Sequence, residues 1–246
     1  MRLTAIVFAA AGLTVFAQQP QIQNGAVEAR TSTGLDRDIT AIAAGANAPV
    51  WVGWREAAID GWSNNCCWYS DDNYASRGCT VEPSVPNTRG FAGMSVPDPR
   101  PQFPAPSGPA KLEAGTEVVV MLRIVPGSGS DAKHVERVRT FSDDCPLDAG
   151  GRKVYWLDAV PSADSVKYLW SLIELKDVSG TPTDLRRRIN SSAISAIGMH
   201  HDSSVEPLIA LAKQHSDTSS RSSAFTWLGR SKDPRAVSFI DGILKK

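Results

Sequence analysis

Ser192-Ala193-Ile194-Ser195-Ala196-Ile197-Gly198 and Ser223-Ala224-Phe225-Thr226-Trp227-Leu228-Gly229 are near-copies of one another, 31 residues apart. Asp202, Val205 and Leu208 follow the first copy, and Asp233, Val237 and Ile240 follow the second. Self-similarity at a period of this size is the signature of stacked helical hairpins. One hairpin cannot bury its apolar stripe alone and must lie against a neighbour. The repeat therefore predicts a helical array at the C-terminal end, an architecture suited to holding another molecule.

The surrounding sequence keeps the helical period. Val166, Leu169, Trp170 and Ile173 recur at i, i+3, i+4 and i+7, with Ser162 as the expected N-cap. Thr181-Pro182-Thr183-Asp184 reads as a helix start, and Leu185, Ile189, Ala193, Ala196 and Ile197 form one stripe ended by Gly198. Val205, Leu208, Ile209 and Ala212 form another, beginning near Ser204 so that Pro207 is tolerated. Ala224, Trp227 and Leu228 make the next, and Asp233-Pro234 opens a last helix with Val237, Ile240 and Leu244 expected to face inward. Five helices are predicted after Pro161.

Ala224 to Leu228, Gly229, Asp233-Pro234, Val237 and Ile240 resemble the short bacterial HEAT-like repeats. In that family an Ala-x-x-Leu-Gly helix end is followed by an Asp-Pro turn and a Val-x-x-Leu core. The earlier copy departs from the pattern, with Ile197 in place of Leu and Asp202-Ser203 in place of Asp-Pro. The resemblance covers about residues 162–246. It implies an α–α superhelical array whose partners dock along one helical face, near Arg187, Asp202 and Arg230. Arg186-Arg187-Arg188 on the first repeat helix suits an acidic segment.

The preceding half reads differently. Pro49 to Arg55, Thr116 to Val125, Val135 to Phe141 and Lys153 to Leu157 alternate or run as β-branched blocks, which predicts strands. The second of these is apolar enough to be buried on both faces. A short helix is expected near Asp36 to Ala44, capped by Gly45. Eight of the 16 prolines fall between Val81 and Ala110, excluding helix and interior strand there and predicting a long surface loop. The fold class is therefore α+β: a β-rich, sandwich-like domain over 18–160, then HEAT-like helices over 161–246. Since the repeats are too few to stand alone, the β-rich half is expected to cover their first apolar end.

The N-terminus carries Arg2, an apolar run from Leu3 to Val15 and Val15-Phe16-Ala17 before polar Gln18-Gln19. That pattern predicts a secretory signal peptide over 1–17, because about 20 apolar residues are needed to span a bilayer. Export to the periplasm or beyond follows as an expectation. Cys66, Cys67, Cys79 and Cys145 are the four cysteines, and an even number in an exported chain predicts disulfides. Cys66 or Cys67 would pair with Cys79 and the other with Cys145. Zinc-finger spacing is missing from this set.

Lysines plus arginines and aspartates plus glutamates number 26 each. That balance argues against a nucleic-acid partner. No hydrolase elbow, zinc-protease helix, phosphate loop or dinucleotide fingerprint occurs, so no catalytic set, metal site or cofactor is assigned. His200 and His201 are adjacent and read as solvated turn histidines; a metal site joining them to His215 is the weaker reading. Trp51, Trp54, Trp62, Trp68, Tyr69 and Tyr74 read chiefly as core, with Trp62 and Tyr69 expected at the surface. The functional expectation is a non-catalytic protein-interaction module or scaffold of the cell envelope. The competing expectation is a glycan- or peptide-binding β-domain that uses Trp62 and Tyr69, with the repeats as support.

Overall fold

A computed structural model describes residues 21–61, 68–71, 74–77, 81–82, 116–126, 134–173 and 183–245. The protein is mixed α+β. Its elements run β1 (Ile22–Gln23), β2 (Ala26–Thr31), α1 (Leu35–Gly45), β3 (Val50–Ala57), β4 (Trp68–Asp71), β5 (Tyr74–Arg77), β6 (Glu117–Val125), β7 (His134–Ser142), β8 (Leu147–Asp148) and β9 (Lys153–Asp158). Helices α2 (Ser162–Ile173), α3 (Thr183–Met199), α4 (Val205–Gln214), α5 (Thr218–Arg230) and α6 (Pro234–Leu244) complete the chain. The signal-peptide segment, most of the proline-rich stretch, Trp62, Cys66, Cys67 and Cys79 lie outside the described residues.

The expected sandwich is replaced, among the described residues, by one five-stranded mixed sheet in the order β2-β9-β3-β6-β7. Strands β2, β9 and β3 are parallel, whereas β3-β6 and β6-β7 are antiparallel. Parallel strands that follow one another in the chain need a crossover, and α1 supplies the one from β2 to β3, between which β9 lies. Two further two-stranded pairs, β1-β8 and β4-β5, stand apart from this sheet.

The reason for one sheet in place of two is that helices cover its first face. Val52, Trp54, Val120, Leu122 and Leu157 pack in one continuous core with Ile39 of α1, Leu169 of α2 and Ile194 of α3. That core runs on through Leu208, Trp227 and Leu228 to Ala236 of α6. The second face carries Trp51, Val119, Met121, Phe141, Val154 and Trp156 against Val81, Cys145 and Leu147. Trp51 and Trp54 are thus both fully buried, on opposite faces. Strand β6 is buried on both faces from Val118 to Ile124, as its composition predicts. Its one buried charge, Arg123, pairs with Glu136 and with Glu82, whose Oε1 also accepts the Trp51 indole N–H at 2.7 Å. Cys145 is fully buried on this face and is not a free thiol.

Five helices follow Pro161 among the described residues, and their packing differs from the sequence reading in three places. Ser162 is the first helical residue, and its hydroxyl donates across to the Asp202 carbonyl (3.2 Å), so it does not cap α2. On α6 only Ala236 is buried; Val237 is 59% and Leu244 80% exposed, because no further helix among the described residues lies over that face. The third difference is the turn between α3 and α4. Helices α3 and α5 end 31 residues apart, at 199 and 230, but α4 and α6 begin only 29 apart, at 205 and 234. Asp233 caps α6, accepting the Arg235 N–H at 2.8 Å, whereas its counterpart at the start of α4 is Ser204, not Asp202. Ser203 and Lys232, each just before those caps, share a left-handed φ of 65° and 53°. The first turn is therefore longer by two residues, and those residues join the sheet.

Candidate functional site

Helices α3 and α5 lie side by side, and their N-terminal halves enclose a groove of about 200 Å³. It is lined by Arg186, Arg187, Asn190 and Ser191 from α3, by Asp217, the N-cap of α5, and by Ser220 and Ser223, among others, from α5. The serines follow from the helix start: Asp217 accepts the N–H and the hydroxyl of Ser220, both at 2.7 Å. Its carboxyl is held below the usual range by the Ser220 hydroxyl and then by the Ser220 backbone N–H. The charge of Asp217 is thus turned toward the helix N-terminus it caps. Arg187 is exposed and Arg186 half-buried at the opposite wall. Arginines thus line one wall of the groove and serines of the α5 start the other.

The other residues singled out from sequence lie elsewhere. Arg230 is exposed at the C-terminal end of α5, its guanidinium 5.1 Å from the Trp227 ring centre. Asp202 is exposed in the α3–α4 turn, bonded to His201 Nδ1 at 3.0 Å. From Arg187 to the end of α3 is about 18 Å at the helical rise per residue. The structure thus brings Arg187 to the groove and sets Asp202 and Arg230 at the far end of the helices. Tyr69 is in β4, opposite Ser76 of β5. Trp51, Trp54 and Trp156 are core residues and present no ring to solvent.

A second polar cluster is wholly buried at the seam between sheet and helices. His200, read from sequence as a solvated histidine, is fully buried, while His201 beside it is exposed. The cause is the two-residue extension of the turn. Ala58 bridges to His200, the His201 N–H bonds the Ala57 carbonyl (2.8 Å), and the Ile59 N–H bonds the Met199 carbonyl (2.9 Å). His215 is occupied at the start of α5, where Nδ1 accepts the Asp217 N–H at 3.0 Å. The three histidines therefore have separate partners.

His200 Nδ1 lies 2.7 Å from the Ala196 carbonyl, which can only accept, so Nδ1 carries the proton. Nε2 is left to accept from Ser165 Oγ at 2.8 Å, and Ser165 Oγ in turn accepts the Trp54 indole N–H at 2.8 Å. Glu56 Oε1 lies 3.9 Å from His200 Nε2 and makes no hydrogen bond. Burial pushes the Glu56 carboxyl up to about 7, against the lowering pull of Ser165, Trp54 and Ser162, with Asp202 pushing the same way as burial. Burial likewise pushes His200 down to about 4, against the Ala196 carbonyl. Both groups are neutral between those values. In a hydrolytic triad the acid holds Nδ1 while serine uses Nε2; here a backbone carbonyl holds Nδ1 and the acid is on the serine side. The arrangement ties β3 to α2 and to the α3–α4 turn.

Sequence reasoning missed Glu56, Ser165 and the groove serines. The one available signal for Glu56 is parity, since Val52, Trp54 and Glu56 share a face of β3. No family model, curated protein or solved structure matches this chain. No helix among the described residues is long and apolar enough to cross a membrane.

Proposed function

We propose that this protein is a non-catalytic binding module of the cell envelope. Its HEAT-like helices hold an acidic, extended segment of another protein in the α3–α5 groove. The observation that carries this reading is the groove itself: Arg186 and Arg187 line it on the α3 side, and serines line it on the α5 side beside Asp217, which caps its own helix. Arginine offers planar, multidentate donors to carboxylates, and serine hydroxyls add short-range hydrogen bonds to a polar chain. The layering of α3 on α5 and of α4 on α6 agrees with a hairpin array. The five-stranded sheet acts as its N-terminal cover, tied on through Glu56, Ser165 and His200. Disulfides through Cys145 would brace the second face in an oxidising compartment, in keeping with an exported chain.

The test is crosslinking capture from envelope extracts with the purified protein, run beside an Arg186→Glu/Arg187→Glu variant. A protein captured by the parent and lost with the variant supports the reading. Equal capture by both, or capture of glycan alone, refutes it. The second outcome would transfer the binding role to the β-domain with Trp62 and Tyr69.

A further inference from the structure

The outer edge of β2 shares no residue with the α3–α5 groove, and the inference drawn from it is independent of the reading above. Strand β2 ends the sheet order, and five of its six residues are exposed. The direction of its backbone groups follows from the ladder. The Ser32 N–H bonds the Asp158 carbonyl at 2.8 Å, and the register pairs Thr31 with Asp158. Backbone groups alternate sides along a strand, so those of Arg30, Glu28 and Ala26 face β9. Those of Val27, Ala29 and Thr31 face outward, with no neighbouring strand among the described residues. Val27, 37% exposed, is one of the few large apolar residues left uncovered.

The charges of β2 are arranged for self-recognition. Glu28 and Arg30 share one face, where Arg30 Nε donates to Glu28 Oε1 at 2.7 Å and Lys153 Nζ reaches Glu28 Oε2 at 2.7 Å. Charge on an edge strand ordinarily discourages pairing. A strand whose charges read acid then base is an exception when it meets itself antiparallel. We propose that β2 pairs antiparallel with β2 of a second copy of this chain, centred on Ala29, joining the two five-stranded sheets into one.

In that register the outward-facing residues make the hydrogen-bonded pairs, Val27 with Thr31 and Ala29 with Ala29, giving about six backbone hydrogen bonds. Glu28 stands opposite the partner's Arg30 in the non-hydrogen-bonded pairs, where cross-strand side chains come closest. Centring the pair on Glu28 or on Arg30 sets like charges opposite one another. Hydrogen-bond parity and charge therefore select the same register.

The experiment is sedimentation velocity on the purified full chain over a concentration series, with Glu28→Arg, Arg30→Glu and the double exchange. The parent is expected to move to twice the monomer mass as concentration rises. Each single variant should need at least about tenfold higher concentration to do so. Mixing the two single variants, or placing both substitutions in one chain, should restore association. Melting curves like the parent's establish that the exposed substitutions leave the fold intact. A parent that stays monomeric to about 500 µM would overturn the proposal, and so would single variants that associate like the parent. Failure of the mixture to associate would equally exclude the antiparallel register.

Discussion

The Trp227 indole occupies the place where a side chain on Gly198 would begin: a Cβ built there would overlap ring carbons Cγ and Cδ2. Gly229 holds the same position in the second sequence copy, yet nothing lies within 4 Å of its Cβ site. The two glycines therefore answer oppositely to substitution. Gly198→Ala should destabilise by about 2–3 kcal/mol through overpacking of α3 on α5. Gly229→Ala should stabilise by about 0.5–1 kcal/mol, the helical advantage of alanine. Urea titrations of the two variants check both signs.

Glu56 and His200 make opposing contributions to the pH dependence of stability. The Glu56 pKa is raised to about 7, so its contribution is full below the unfolded glutamate value and is lost as pH rises toward 7. The His200 pKa is lowered to about 4, so its contribution is full above the unfolded histidine value and is lost as pH falls toward 4. Between about pH 4.5 and 6.5 the two slopes cancel. Glu56→Gln should unmask the histidine, and its stability should rise by about 3 kcal/mol across that window. A parallel pair of stability–pH curves for parent and variant would contradict the assignment.

Ser165 is the hub of the seam, accepting from Trp54 and donating to His200. Ser165→Ala leaves both buried partners unsatisfied and should cost about 3 kcal/mol. The same substitution at exposed Ser222 should fall within about 0.5 kcal/mol of the parent. Denaturant midpoints distinguish these expectations.

The secondary elements were legible where local chemistry decides them. Apolar blocks at Val50–Arg55 and Thr116–Val125, the Asp233-Pro234 helix start and the stripe from Ile189 to Ile197 all carry their own signal. The sheet order was not legible, because β9 enters between β2 and β3 from over a hundred residues downstream, and nothing local encodes that neighbour. His200 misled for a related reason. Its neighbours Gly198, His201 and Asp202 compose a polar turn, while its burial comes from β-bridging to Ala58, remote in sequence. The repeat was visible as a 31-residue offset, but the 29-residue spacing of the second helices was hidden by the chance match of Asp202 to Asp233. Arg187 was found because it stood in an arginine run; the facing serines look like ordinary helix-start residues until α5 is laid against α3.

The most direct test of the binding role is a calorimetric titration of the captured partner's acidic segment into the parent and into Arg186→Glu/Arg187→Glu. The account predicts at least about tenfold weaker binding to the variant, with affinity for the parent falling as salt is raised. Equal affinity for the two proteins would contradict it.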